Sequence, residues 1–411
     1  MKKIVNNRND GITLIALVVT IVILLILAGV SISMLTGQNA ILNHTSEAKE
    51  DTLAAQQEEQ SALDMYENEI SNYVGIDWNA AKLSAKAPKE QKEERNNDVI
   101  GIGTDGKPVN MDYWEYCFDT VTNGYGLNSQ EVFQNTEYNN NGTNTSTLRE
   151  KGYRGSATDT EINGKIPQYI SVDNGSTYYP VTSLYRTFVG MSNLSKYPKI
   201  PETIKNMFSA FEGCQNIKNA YIPNNVESIS WTFNNTGLTE LPSLSENIKS
   251  ISGAFSNCNS LKSVELNIPT QVDEMSNLFY QCENLTDVTF SGGENVIKMK
   301  QTFCLDKNLT NIKGMPKNVK SLHQTFMKCE NLTSIDLAVS ENIEDLTQTF
   351  SDCKKLEGTI IINGNPTEYE LCFQNTSKDA KNSLKITGKS TMLEQLIEKS
   401  YGLGNVVISA N

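Results

Sequence analysis

The sequence predicts an α+β chain in three parts. A long N-terminal helix crosses a membrane, a small β-rich region follows, and a solenoid of about nine 22–24-residue coils ends in a strand-helix-strand cap. Three observations predict this. Residues Ile12–Leu35 are 24 nearly uninterrupted apolar positions without a charge. Residues 99–180 hold short alternating runs punctuated by Asp105-Gly106 and Asn174-Gly175. From residue 188 onward a phenylalanine returns every 22 to 24 residues.

The apolar stretch comes first. At 1.5 Å per residue it spans about 36 Å, enough to cross a bilayer core. Lys2, Lys3 and Arg8 precede it, whereas Glu47–Glu69 holds eight acidic residues against Lys49 alone. The positive-inside rule then predicts a single-pass protein of the cell membrane, N-terminus in the cytoplasm and everything after residue 36 outside.

The stretch "NDGITLIALVVTIVILLILAGVSISMLTGQNAIL" (9–42) resembles the N-terminus of a type IV prepilin or type II secretion pseudopilin. The resemblance implies a leader over 1–11, a prepilin peptidase that cuts after Gly11, and Ile12 as the methylated first mature residue. It also implies pilin-like self-assembly, with one departure: Ala16 stands where most of the family carries a glutamate that pairs with a neighbouring subunit's amine. An uncut signal anchor has the same apolar span. Past the span, Ile41, Ala48, Ala55 and Ala62 recur every seven residues, then Tyr66, Ile70 and Tyr73 follow. This stripe extends the predicted helix over 12–75. Residues 76–98, rich in Lys and Glu around Pro88, read as a charged linker.

The β-rich region opens on "GIGTDGKPV" (101–109), whose spacing mimics a phosphate loop. Pro108 stands where such a loop needs Ser or Thr, and Asp105-Gly106 lies between apolar pairs, so the segment predicts a hairpin. Residues 135–147, dominated by Asn, Gly and Thr, predict a loop. "KIPQYISVDNGSTYYPVTSLY" (165–185) predicts a second hairpin that closes the end of the following domain.

The repeats occupy 181–380. Phe188, Phe211, Phe233, Phe255, Phe279, Phe303, Phe326, Phe350 and Phe373 mark them. An Asn-Val or Asn-Ile pair often precedes by eight and seven residues, as at Asn225-Val226 and Asn295-Val296, and an apolar residue precedes by four. Cysteine often follows by three (Cys214, Cys258, Cys282, Cys329, Cys353), and leucine or isoleucine by six. "SVEL", "DVTF", "SIDL" and "TIII" then alternate as short strands. Each coil thus predicts a strand plus a tight helical turn carrying its phenylalanine inward, burying its apolar side only against neighbouring coils. Residues 381–411 break the repeat and predict the cap, since an open solenoid end exposes core and strand edge.

This pattern resembles the BspA-like (Treponema-type) leucine-rich repeats of bacterial surface proteins. The resemblance implies adhesion or binding of an extracellular protein or another ligand on a host or cell surface. The outward strand positions Ser263, Glu265, Asp287, Thr289, Asn311, Lys313, Ser334 and Asp336 would form the recognition face.

Other chemistry is disfavoured. Net charge is −13 and the pI about 4.9, which argues against nucleic acid, because counterion release needs clustered Lys and Arg. Two distant histidines and no CxxC pair leave no metal, cofactor or acid–base scheme to propose. Glu265 and Asp287 are the nearest thing to a glycosidase carboxylate pair, but they lie on an open face, and a non-enzymatic chain is expected. Met191, Thr236, Asp306 and Thr376 replace cysteine elsewhere in its column, so the column reads as packing, with Cys258–Cys282 and Cys329–Cys353 the candidate disulfides. Cys304, two residues before Asp306, predicts a distorted coil there.

Overall fold

The computed structural model describes residues 99–119, 124–127, 152–156, 158–162, 164–335 and 337–409, all within the compact unit Glu93–Asn411. The leader, the apolar span, its helical extension and the linker lie outside the described residues, as do the loop over 135–147 and Asp336. Among the described residues no helix is long and apolar enough to cross a membrane.

Both hairpins form. Strands β1 (Ile100–Ile102) and β2 (Pro108–Val109) pair antiparallel around Asp105-Gly106. Strands β5 (Tyr169–Ser171) and β6 (Tyr179–Ser183) pair around Asn174-Gly175, both with positive φ, which Asn and Gly tolerate best. With β3 (Cys117–Asp119) and β4 (Gly124–Gly126) they make one six-stranded sheet, ordered β2-β1-β5-β6-β4-β3.

The nine phenylalanines form a single column. All are fully buried, with successive ring centroids 5.0–6.1 Å apart and planes within 19° of parallel. The turn that carries each ring is not helical, contrary to expectation. The residues two before and two after every phenylalanine have positive φ, from Arg186 and Gly190 to Leu371 and Asn375. The hydrogen bonds explain why. Around Phe211, the N–H groups of Met207, Ser209, Phe211 and Gly213 donate to the next coil's Ser228, Ser230, Thr232 and Asn234 carbonyls at 2.8–3.0 Å. Those of Ala210, Glu212 and Cys214 close four-residue turns within the coil. A helix would turn all of these bonds inward and leave the neighbouring coil unpaired.

In this column the N–H groups that bond between coils point toward the C-terminal end of the stack, and the carbonyls that accept them toward the N-terminal end. Each end therefore needs a different cap. At the first coil, the Leu127 and Tyr153 N–H groups donate to the Ser183 and Thr187 carbonyls at 2.9 and 3.2 Å. Trp114 and Tyr153 pack their rings on Phe188. At the last coil, the Phe373 N–H donates to Ser400 Oγ at 2.9 Å and the Asn375 N–H to the Tyr401 carbonyl at 3.0 Å.

Seen from the strand side, the coils differ. Strands β7 (Ser263–Ile268), β8 (Asp287–Gly292), β9 (Asn311–Lys313) and β10 (Ser334–Ile335) form one parallel sheet. A second holds β11 (Ala338–Val339), β12 (Gly358–Ile362), β13 (Leu384–Thr387) and β14 (Val406–Ile408). "SIDL" was expected to be one strand, but only Ser334-Ile335 lie in β10, and the next strand, β11, starts at Ala338 in the other sheet. The path from Leu332 to Ala338 is one residue longer than its counterpart from Leu356 to Ile361, which shifts the register. The first three coils have no strand, because Pro198, Pro223 and Pro242 remove ladder donors there. The tail forms strand, helix and strand, with α1 (Leu393–Glu398) between β13 and β14. Both tail strands continue the parallel sheet, so the cap is a degenerate coil.

Polar side chains repeat as well. The amides of Asn225, Asn247, Asn295 and Asn318 each donate to a backbone carbonyl one coil back at 2.7–2.8 Å. Asn284, Asn308 and Asn331 do the same at the opposite bend. The asparagines of the repeat are thus rungs that satisfy buried or bent backbone.

A polar strand face and a thiol column

Strand pairing brings the expected face together. Ser263, Asp287, Asn311 and Ser334 stand opposite one another in one row, and Glu265, Thr289 and Lys313 in a second. Rows of this kind step about 4.8 Å between strands. All are exposed except Asp287 and Asn311, which are half-buried; Asp287 also accepts a hydrogen bond from Thr286 Oγ1 at 2.7 Å. A third row was missed: Asn267 stands opposite Ser291, whose hydroxyl donates to Asn267 Oδ1 at 3.0 Å. Its signal was present, because the polar–apolar alternation continues through Asn267-Ile268.

Charge is distributed unevenly over the coils. Lys249–Glu227, Lys298–Glu274, Lys307–Glu283, Lys320–Glu344 and Lys354–Glu330 each pair between adjacent coils at 2.7–3.6 Å. Among the described residues, Glu265 and Lys313 have no such partner. Thr289 separates them, and they stand two strands apart.

Two clefts lie away from this face. A groove of about 570 Å³ runs past Glu202, Lys205, Asn225, Glu227, Asn247 and Lys249. A cavity of about 320 Å³ lies between the β1–β2 hairpin and the first coil, lined by Asp105, Glu161, Lys165, Lys196, Tyr197 and Lys199. Neither lining includes a histidine, cysteine or serine. Among the described residues no cluster of His, Cys, Asp or Glu has metal-binding geometry. Glu265 faces Thr289 and Asp287 faces Ser263, so the two carboxylates lie diagonally on an open sheet.

The cysteines have a defined role. Their thiols donate to the phenylalanine carbonyl of the preceding coil: Cys214 to Phe188, Cys258 to Phe233, Cys282 to Phe255, Cys329 to Phe303 and Cys353 to Phe326, at 3.0–3.2 Å. Thr376 Oγ1 reaches the Phe350 carbonyl in the same way at 2.7 Å. Cys258, Cys282, Cys329 and Cys353 are free thiols, so neither candidate disulfide forms. Burial pushes the Cys258 thiol up to about 11 and holds Cys282, Cys329 and Cys353 well above the usual thiol range. The column was read as packing alone; its threonine members were the sign that it also donates.

Asp306 does not distort its coil. Its N–H bonds the Phe303 carbonyl at 3.1 Å and the Leu305 N–H bonds Met327 at 2.9 Å, as in the other coils. The carboxyl is fully buried. Oδ1 accepts the Cys282 N–H at 2.6 Å, and burial raises the group well above the ordinary carboxylate range.

The chain is similar in structure to a leucine-rich repeat protein from Bacteroides ovatus ATCC 8483, at 15% identity and a TM-score of 0.24, over 72% of this chain and 98% of that one. A leucine rich cell surface protein from Faecalibacterium prausnitzii A2-165 is similar at 16% identity and a TM-score of 0.29, over 71% and 97%. No curated relative matches. The profile described as the BspA type leucine rich repeat region matches in six copies over two overlapping stretches, 185–298 and 274–395. These stretches cover just over half of the 411 residues, and the chain belongs to the BspA-type leucine-rich repeat family.

Proposed function

We propose that this chain is a membrane-anchored bacterial surface protein that binds an extracellular protein through the outward face of β7–β10. One observation carries the reading. The polar rows Ser263–Asp287–Asn311–Ser334 and Glu265–Thr289–Lys313 stand together on the outward face of one parallel sheet, with Glu265 and Lys313 in no ion pair among the described residues. An exposed parallel sheet is itself unusual, because such sheets are normally covered on both faces. The apolar span Ile12–Leu35 and the basic residues before it support anchoring with the repeats outside. Cells displaying the full chain should adhere to surfaces coated with extracellular proteins. The variant Glu265→Lys, Thr289→Arg, Lys313→Glu should lose adhesion at unchanged surface level. Equal adhesion of the two would remove this face from the function.

A second reading is a minor pilin or pseudopilin that enters a filament, favoured by Gly11-Ile12 at the head of the span. Sequencing the N-terminus of the surface-extracted protein separates the two. An N-methylated Ile12 in sheared filaments supports assembly; an intact Met1 in the membrane fraction removes it.

A further inference from the structure

We propose that Asp306 is a proton-bearing rung of the thiol column: a neutral carboxylic acid whose ionisation loosens the sixth coil, so that the solenoid is held more firmly in acidic surroundings. The five cysteines at this position, and Thr376, donate a hydrogen bond to the phenylalanine carbonyl one coil back, as Cys282 and Cys329 do on either side of Asp306. A carboxylate donates nothing. Asp306 Oδ1 is occupied by the Cys282 N–H, while Oδ2 is buried without a hydrogen-bond partner. A proton on Oδ2 converts that orphan acceptor into the donor the column requires, with the Phe279 carbonyl as the equivalent acceptor.

The groups facing Asp306 leave the proton in place. They are the Cys282 and Cys329 thiols on the adjacent coils, Cys329 itself lying near Cys304. The neighbouring Lys307 ammonium is half exposed and engaged with Glu283. Without a facing cation, burial dominates and favours the neutral acid.

The sign follows from linkage. An unfolded aspartate ionises near pH 3.9, roughly, whereas the folded Asp306 does so well above that. Below the unfolded value both states hold the proton and nothing is lost. As pH rises from there toward the folded value, only the unfolded chain releases it, and stability falls.

The test compares full-length wild type with Asp306→Thr, which restores a hydroxyl donor, by urea unfolding from about pH 5 to about pH 8. The ratio of their unfolding constants should grow by up to about tenfold per pH unit. A ratio that stays constant overturns the proposal. Should Asp306→Thr fail to fold, the infrared carbonyl stretch of a protonated carboxyl decides. It should be present in wild type at neutral pH and absent from Asp306→Asn, which keeps a donor; its absence from wild type overturns the proposal.

Discussion

The turn side and the strand side of one coil treat polar groups in opposite ways. On the turn side, backbone N–H groups, column thiols, threonine hydroxyls and asparagine amides bond to acceptors in the same or a neighbouring coil, as at Phe211, Cys282, Thr325 and Asn308. On the strand side, the backbone pairs but Ser263, Glu265, Thr289 and Lys313 project into solvent. The difference separates two tasks. One side fixes the stack, and the other can change sequence without changing the fold.

The largest break in that contrast comes from the ring column. Phe279 stacks between Phe255 and Phe303 at 6.0 and 5.8 Å. Phe279→Ala opens a cavity and removes both stacks, so a loss of about 3–5 kcal/mol is expected. Urea unfolding measures it. An effect as small as that of Thr289→Ala would mean that the two sides do not differ as described.

The thiol column gives a sharper, smaller test. Cys329→Thr keeps the donor to the Phe303 carbonyl, whereas Cys329→Val removes it at similar volume. The valine variant should be less stable than the threonine variant by about 0.5–1.5 kcal/mol. Equal stabilities would return the column to packing alone. Alkylation offers a parallel check: the Cys282, Cys329 and Cys353 thiols should react only after unfolding, because burial keeps them protonated and covered.

Much of this was legible in the sequence. A period of 22–24 residues forces the rings into register, and alternation in "SVEL" and "DVTF" assigns faces without further information. The left-handed turns were not legible. Arg186, Trp231, Leu305 and Leu371 occupy positions of positive φ where glycine would announce a turn. Each such residue costs roughly 1–2 kcal/mol locally, and the hydrogen bonds to the next coil offset it. Gly253 is the exception that needs its glycine twice over: φ is +62°, and a Cβ would lie 2.4 Å from the Trp231 ring. The missing strands of the first three coils trace to Pro198, Pro223 and Pro242, where the repeat's leucine spacing masked a local veto. The candidate face was legible by row, because period two fixes which residues point outward, but its third row depended on where β7 and β8 end.

The smallest expected effect lies on the strand side itself. Glu265→Ala and Lys313→Ala remove charges that have no partner among the described residues, so neither should alter unfolding measurably. Lys320→Ala removes an ion pair with Glu344 at 3.1 Å, half exposed on both sides. Solvent and salt screen such a pair, and its loss should be slight and vanish at high salt. A salt-independent loss at Lys320 would show that the paired columns help to fix the stack. A loss at Glu265 would show that the strand face is structural, leaving no reason to regard its unpaired charges as a surface kept for a partner.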